Sequence, residues 1–568
     1  MSQEVYQPYI NNPAEQVKAK RSIFDLSADF LGTLKSARLY PIFWQEMVPG
    51  DTAEVNMNTL IRMLTPVVPV MDSAILDIFL FKVPFRICMN AQNVDDKTFQ
   101  RVMGENINGS GAVPTETSIP YFVKDDINTP ELKNKIGNYL GIPYFNENNP
   151  AIGGLDPTIK ISCVPFYAYQ CIWNEFFRDE QTQNVYRLDA ESLCKHDPFK
   201  VNKFHDLFTD ATIRPQLHDP VSLSLSGTAP VSANNNYLSI GSVSVRGQTA
   251  SGDSTRIYTS LGLTGGEDPT NKSIVVADRG NAATQTQLDR IYLLGDSIGT
   301  ADLSQVSSVD INELRYSIAL QSLYEAMNRG GSRYREYLYT VYDTVSDDKT
   351  LQLPQYLGGV SIPLEIDTVL QTSATGQNSA LGDTGGFSAT SLFGKHLSLV
   401  STSEHCILMA VACVRTHQHY FQGIPKKFTH LKQTDFYNPL FEGIGDQPIM
   451  VSELVATMMN QAEYPSDKVF GYGPSWYEYR SGNQDSVLTG GFDPLQGDLI
   501  LSKWTYAEPF SALPTLNANF KYQTETAIGK TLVDENTSSQ FLLNVHFDIK
   551  CARNMRTSTV PAKLLGTF

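Results

Sequence analysis

The chain has 568 residues and a formal net charge of -16, with 60 acidic and 44 basic side chains. That balance excludes a protein whose whole surface coats a polyanion, because such proteins need an excess of Lys and Arg. Hydrophobic residues make up 41% of the chain and charged residues 18%, so we expect a large packed core and exclude a disordered or coiled-coil chain.

The N-terminal arm, residues 1–21, is polar and mixed in charge, and it ends in the basic side chains Lys18, Lys20 and Arg21. It has no apolar stretch with a cleavage site, so no signal peptide is expected and synthesis is expected in the cytosol. The three cations are candidates for phosphate contacts. A solvated chain end or interface ion pairs would also explain them, since a few cations neutralise only a few phosphates.

Two segments of the first half have sharp patterns. Residues 74–83 are apolar on both faces except at Asp77 and Lys82, and they stop at Pro84, which predicts a strand buried between layers. In residues 164–180, aromatic side chains recur at helical spacing, which predicts a helix with a heavily aromatic face.

The next segment differs in composition. Of residues 221–300, 36 of 80 are Gly, Ser, Thr or Asn and only 11 are charged, so the segment cannot support a large core. Alternating pieces at 237–245 and 256–263 predict short strands in a loop-rich excursion. We place this insertion between Val221 and Gln305. The chain then divides into the arm, a first part at 22–220, the insertion at 221–305, and a second part at 306–568.

A second helix is predicted between Asp310, which can cap it, and the stop at Gly330 and Gly331. Its apolar face is formed by Leu320, Leu323, Tyr324 and Met327. Around its end, Arg329 and Arg333 flank two glycines and precede a tyrosine, a pattern that offers cations, a closely approachable backbone and a stacking ring. A helix stop followed by an interface loop would explain the same residues without a ligand.

The last strong patterns are strands. The run at 406–414 is the longest apolar stretch and half of what a membrane-spanning helix needs, so it predicts a buried strand and no membrane insertion. Residues 541–549 alternate between apolar and polar side chains, which predicts a strand with one buried face. The final residues carry basic side chains, Arg553 and Arg556 among them, and no acid, and they are further candidates for phosphate contacts.

No motif of a catalytic or cofactor site is present. The chain lacks H-E-x-x-H, G-x-S-x-G and G-x-G-x-x-G, and its seven cysteines include no C-x-x-C pair, so we expect reduced thiols and no structural zinc. His417 and His419 could supply two metal ligands from one strand face, but nothing near them completes the set, and surface or interface histidines are favoured. We expect no enzyme activity, metal or cofactor.

Short stretches of the sequence occur in a specific order, although each is modest alone. They include Arg21-Ser22-Ile23-Phe24-Asp25-Leu26-Ser27, Val48-Pro49-Gly50-Asp51-Thr52, Trp173-Asn174-Glu175-Phe176-Phe177-Arg178-Asp179, Arg329-Gly330-Gly331-Ser332-Arg333-Tyr334, Gln355-Tyr356-Leu357-Gly358-Gly359, Asp435-Phe436-Tyr437-Asn438-Pro439 and Tyr477-Glu478-Tyr479-Arg480. In these stretches the sequence resembles the major capsid proteins of the Microviridae, gokushovirus type, which are small single-stranded DNA bacteriophages. The resemblance lapses mainly over residues 221–310.

The resemblance implies an all-β viral jelly roll, an eight-stranded antiparallel sandwich with long inter-strand insertions and a few helices. It also implies a virion protein of which about sixty copies close a T=1 icosahedral shell around single-stranded DNA. The insertion would form a surface protrusion that takes part in attachment to a host cell receptor. Internal scaffolding proteins and small basic DNA-binding proteins would be partners, and the basic candidates above would contact DNA.

Two other interpretations stay open on the sequence alone. A phage spike or receptor-binding protein would share the β-rich composition but form a compact trimer. A β-sandwich carbohydrate-binding protein or enzyme would use the many Tyr and Trp side chains to line a sugar site.

Overall fold

The computed structural model describes most of the chain outside its two termini and the insertion. The described residues are 21–90, 98–104, 118–123, 132–143, 156, 158–219, 231–232, 243–249, 252–258, 261–263, 274–276, 286–287, 300–301, 311–348, 350–364, 366–370, 384–458, 464–481, 486–496, 501–534 and 539–557. Two compact units are distinguished, one drawn from Met1–His218 and Tyr324–Phe568, the other from Asp219–Leu323.

Antiparallel strands dominate the described residues. In chain order they are β1 Ser22–Asp25, β2 Ala28–Leu34, β3 Tyr40–Met47, β4 Thr52–Met63, β5 Ala74–Pro84, β6 Tyr121–Val123, β7 Lys160–Ser162, β8 Val231–Ser232, β9 Val243–Thr249, β10 Gly252–Tyr258, β11 Leu261–Leu263, β12 Ile274–Val276, β13 Thr286–Gln287, β14 Thr300–Ala301, β15 Gln355–Pro363, β16 Ile366–Leu370, β17 Thr384–Ser401, β18 Cys406–Thr416, β19 Asp446–Met450, β20 Val469–Pro474 and β21 Phe541–Arg553.

Helices are few and mostly short. They are α1 Phe85–Met89, α2 Thr98–Val102, α3 Ile136–Tyr139, α4 Val164–Ile172, α5 Ala190–Lys195, α6 Ile311–Gly330, α7 Tyr334–Tyr342, α8 Tyr477–Arg480, α9 Ala518–Lys521 and α10 Thr526–Gly529. A π-helical turn spans Trp173–Phe177, and short 3-10 turns occur at Lys426–Thr429, Gln433–Asp435, Pro439–Phe441, Val451–Glu453, Pro465–Asp467, Gly490–Phe492, Pro494–Gln496 and Leu501–Trp504.

Two large sheets organise the first unit. The first has the strand order β1-β21-β4-β17-β16, with β2 also paired to β21, and the second has the order β15-β5-β18-β3. Neighbouring strands in both sheets are antiparallel, and most of them are distant in sequence, as in the pairing of β21 with β4. The last strand, β21, therefore lies inside its sheet, between β4 and the first two strands.

The two sheets face each other across one hydrophobic core. Strand β21 alternates as the sequence predicts for 541–549, with Phe541, Leu543, Val545 and Phe547 buried and the residues between them exposed. The ring of Phe547 packs on Phe43 of the second sheet, with 4.8 Å between ring centres. The period-two pattern therefore marks the inner face of the first sheet.

The second sheet is covered on both faces. The predicted strands at 74–83 and 406–414 are confirmed as β5 and β18, which pair with each other along their whole length. Their outer side chains join a second core with helix α4 and the π-helical turn, where the rings of Phe81 and Phe176 lie 4.9 Å apart. Strands buried from both sides need apolar residues at nearly every position, which is why these two runs lack alternation.

Both predicted helices are present with corrected boundaries. The helix predicted at 164–180 ends at Phe177, because its last turn is π-helical and Arg178 turns to an extended backbone. The helix predicted from Asp310 is α6, whose first described residue is Ile311, so the predicted cap lies outside the described residues. Its predicted end is confirmed, since Gly331 follows it with a φ of +98°.

The insertion contains short antiparallel strands. Of the piece predicted at 237–245, the described part, from Val243, begins strand β9, which pairs with β10. The piece predicted at 256–263 is divided between the end of β10 and the three-residue β11, and residues 259–260 between them are not described. Strand β11 starts a separate three-stranded sheet with β12 and β13.

We predict that Phe547→Ala lowers the free energy of unfolding by about 3–5 kcal/mol, because it leaves a cavity between the two sheets. The matched control is Leu542→Ala on the outer face of the same strand, where the side chain is 43% exposed and the expected loss is about 1 kcal/mol or less. Chemical denaturation of both variants measures the difference. Equal losses would contradict the assignment of the core face.

Candidate functional surfaces

Arg21 and Arg553, which lie near the two ends of the described chain, meet at one corner of the first sheet. Lys18 and Lys20 lie outside the described residues. Arg21 is exposed, and its guanidinium donates to the carbonyl oxygen of Gly50 at 2.8 Å and to that of Ala552 at 3.2 Å. It thereby ties the start of β1 to both neighbouring chain segments.

Arg553 lies at the same corner and is committed to an ion pair. Its NH2 group donates to Asp51 Oδ2 at 2.7 Å, and the carboxylate it binds is almost fully buried. Removing one partner of such an ion pair lowers the stability of a fold by several kcal/mol. The first role of Arg553 is therefore structural. Arg556, three residues on, is exposed.

The second pair of predicted cations brackets the turn between α6 and α7. Arg329 Nε donates to Asp446 Oδ1 at 2.6 Å, and burial nevertheless raises the pKa of that carboxyl. Arg333 donates to the carbonyl oxygens of Asn174 at 3.1 Å and Arg178 at 3.0 Å. The structure thus places the described candidates at two separate sites of the first unit.

An exposed apolar surface that sequence reasoning missed lies in the loop at 424–444. Its large apolar side chains are between two fifths and nine tenths exposed, with Leu431 at 86% and Leu440 at 88%. We call this surface the apolar loop patch, and it consists of Ile424, Phe428, Leu431, Phe436, Tyr437, Leu440, Phe441 and Ile444. Isolated exposed apolar residues are ordinary, but eight of them within one loop make that loop a candidate interaction site.

The backbone under this patch is held firmly against α8. Trp476 Nε1 donates to the carbonyl oxygen of Phe441 at 3.1 Å, and the Tyr437 ring meets Trp476 edge-on at 5.7 Å. The buried carboxylate of Glu478 lies 3.5 Å from His430 Nε2 and 3.8 Å from Lys426 Nζ. The family stretches 435–439 and 477–480 thus pack together, and they were the signal that could have located the surface.

The predicted histidines have separate partners. His417 stacks on the ring of Phe204, with 4.8 Å between ring centres, while His419 Nε2 lies 2.8 Å from Asp72 Oδ2. Among the residues that the structure describes, no three His, Cys, Asp or Glu side chains group closely enough to hold a metal. All seven cysteines are described and free, and six of them are buried.

Burial raises the pKa of all seven thiols and so disfavours their thiolate form. It raises the pKa of Cys413, on β18, to about 12, because a thiolate there would lose its hydration. No described helix combines the length and the apolar character that a bilayer crossing requires.

Comparison with known proteins assigns the chain over nearly its full length. The family model described as "Capsid protein (F protein)" matches residues 14–563. The capsid protein VP1 of Bdellovibrio phage phiMH2K is 31% identical over 557 residues, covering 96% of each chain. The capsid protein VP1 of Chlamydia phage 1 is 28% identical over 95% of each chain.

A third relative extends the similarity. The capsid protein VP1 of Spiroplasma virus 4 is 27% identical, over 90% of this chain and 89% of its own length. Matches of this extent include both large sheets and the apolar loop patch. The chain therefore belongs to the capsid protein (F protein) family, and the resemblance of its sequence to the Microviridae capsid proteins is confirmed.

Proposed function

We propose that this chain is the subunit of a virion shell in which about sixty copies, with T=1 icosahedral symmetry, enclose a single-stranded DNA genome. The observation that carries the proposal is the near full-length match to three proteins named as capsid proteins. Subunits would be made and assembled in the cytoplasm of a bacterial host. Mutual docking of surfaces, and not a reactive centre, would then be the function of the fold.

The fold of the proposed subunit is a jelly roll. Strand order supports this assignment, because eight strands fall into two sheets with the orders β2-β21-β4-β17 and β3-β18-β5-β15. In each sheet the strands alternate between early and late parts of the chain, as two interleaved Greek keys require. The fold leaves long connections between strands, and the loop with the apolar patch is one of them, between β18 and β19.

The apolar loop patch is the strongest candidate for contact with a second copy. Its eight side chains, at the exposures above, present roughly 1,000 Å² of surface, and a stable interface buries about 800 Å² per partner. Covering it with another copy would release on the order of 25 kcal/mol before the costs of association. Because the backbone beneath the patch is already anchored to α8, covering the patch costs little conformational entropy.

The genome and the other partners are those that the family resemblance implies, and the charge balance supports one of them. A chain with a net charge of -16 needs cations from elsewhere to pack DNA, and small basic DNA-binding proteins would supply them. Lys18, Lys20, Arg21 and Arg556 would add local phosphate contacts. An internal scaffolding protein would guide assembly, and the protrusion at 221–305 would take part in attachment to a host receptor.

We predict that the double variant Leu431→Ser and Leu440→Ser stays folded but forms few or no shells, because each buried Leu contributes about 1.5–3 kcal/mol at every copy of the contact. Electron microscopy and sedimentation of the purified protein measure particle yield.

Val533→Ser, which changes an isolated side chain with 70% exposure, is the control and should assemble normally. An unchanged particle yield in the double variant would remove the patch from the assembly surface.

We also predict that replacing residues 225–300 by a short Gly/Ser linker leaves shell formation intact. The reason is that residues 219–323 separate as a compact unit, and none of their described strands joins the two large sheets. Particles of this variant should lose most of their attachment to host cells in an adsorption assay. If the variant instead forms no particles, the insertion belongs to assembly.

A further inference from the structure

Helix α7 carries its apolar side chains on the outside. No residue of this helix is buried, although Tyr334, Leu338 and Tyr342 recur at the four-residue spacing of a single helix face. Tyr334 is 63% exposed and Tyr342 is 61% exposed. A helix with an apolar stripe normally buries that stripe against the rest of its fold. The apolar face of α7 is therefore uncovered in the single chain.

The other side of α7 holds the helix in this orientation. Thr340 lies over Gly330 so closely that a Cβ on that glycine would clash with it. Arg335 adds a second anchor, because its guanidinium lies 5.2 Å from the centre of the Phe176 ring in the π-helical turn. The helix would lose both contacts if it turned its apolar side chains inward.

The exposed apolar side chains form a broad aromatic surface. We call this surface the α7 face, and it consists of Tyr334, Tyr339, Val341, Tyr342 and Val345. At their exposures these side chains present roughly 500–600 Å². The ring of Tyr337 stacks on Tyr334, with 6.4 Å between ring centres, and meets Tyr342 edge-on at 5.8 Å. Tyrosine rings offer much contact area at a low cost in conformational entropy.

Symmetry decides what kind of surface can cover the apolar loop patch in the proposed shell. Around threefold and fivefold axes every contact is heterologous, so it joins two different surfaces of the same chain. A surface that docks there needs a partner surface elsewhere on the chain. The α7 face and the apolar loop patch are two exposed apolar surfaces with separate supports, the π-helical turn for the first and α8 for the second.

The charges around the two surfaces are opposite in sign. Residues 334–348 carry four acidic side chains and one basic side chain, whereas residues 424–444 carry three basic and two acidic ones. Asp343 is exposed and ends α7 with a φ of +50°. Lys432 is exposed next to Leu431 of the apolar loop patch. Opposite charges at the rim of an interface speed the encounter of two surfaces and fix their register.

We infer that the α7 face of one copy docks against the apolar loop patch of a neighbouring copy, with Asp343 and Lys432 facing each other at the rim. The inference rests on the proposed shell and names the two surfaces that one of its heterologous contacts joins. The contact would bury roughly 1,100 Å² in total, near the lower limit of specific interfaces. Such a contact suits an assembly in which it is repeated at every copy.

Reversal of the two rim charges, one at a time and together, tests this docking. Asp343→Lys and Lys432→Glu should each lower particle yield about tenfold or more, because two like charges then face each other. The double variant should regain most of the wild-type yield, because its two charges are opposite again. Electron microscopy and sedimentation measure the yield.

The matched control combines Lys432→Glu with Asp467→Lys, which reverses an exposed acidic side chain outside the α7 face. This control has the same net charge as the first double variant, and its yield should stay as low as that of Lys432→Glu alone. Equal yields of the two double variants, or single variants that assemble like the wild type, would overturn the inference.

Chemical cross-linking gives a second test that does not depend on yield. Shells assembled from a mixture of Tyr342→Cys and Leu440→Cys chains are treated with a short bis-maleimide and analysed by denaturing electrophoresis. The mixture should give linked dimers well above the background of wild-type shells, whose seven native cysteines are mostly buried. Shells of either variant alone should stay at that background.

Dimers from Tyr342→Cys alone would show that α7 meets its own counterpart, and absence of dimers from the mixed shells would show that the two surfaces do not meet. Either result would reject this docking while leaving the proposed function in place. Absence of shells from the wild-type chain would instead reject the proposed function, and this docking with it.

Discussion

The packing of the two antiparallel sheets against each other is the constraint on which the rest of the structure depends. The central strands of the second sheet, β5 and β18, are buried on both faces, by the first sheet on one side and by α4 with its π-helical turn on the other. Because their partners β3 and β15 come from distant parts of the chain, the loops between strands are fixed at their roots. One of those loops carries the exposed apolar loop patch.

Local patterns predicted the sheet core well. The alternation at 541–549 indicates a strand with one buried face, and the unbroken apolar runs at 74–83 and 406–414 indicate strands with two. Burial constrains every residue of such a run, so the pattern is visible in the sequence. The helix predicted at 164–180 is present, but it ends before residue 180. The π-helical turn that ends it makes contacts such as the hydrogen bond from Trp173 Nε1 to the carbonyl oxygen of Lys200. Such a contact across 27 residues leaves no periodic mark.

The candidate sites were less predictable because charges find partners through the fold. Arg553 and Arg329 read as free cations in the sequence, yet each faces a carboxylate far away along the chain, Asp51 and Asp446. The apolar loop patch could not be predicted either, because the identity of an apolar side chain does not show whether it is exposed.

The central claim is that this chain acts as one subunit of a closed shell, and the native mass of the purified protein tests that claim most directly. Protein produced together with the proposed internal scaffolding protein should sediment as one species of roughly sixty chain masses, with little intermediate material, because a closed shell satisfies every contact at once. A solution of monomers or compact trimers at high protein concentration would contradict the account.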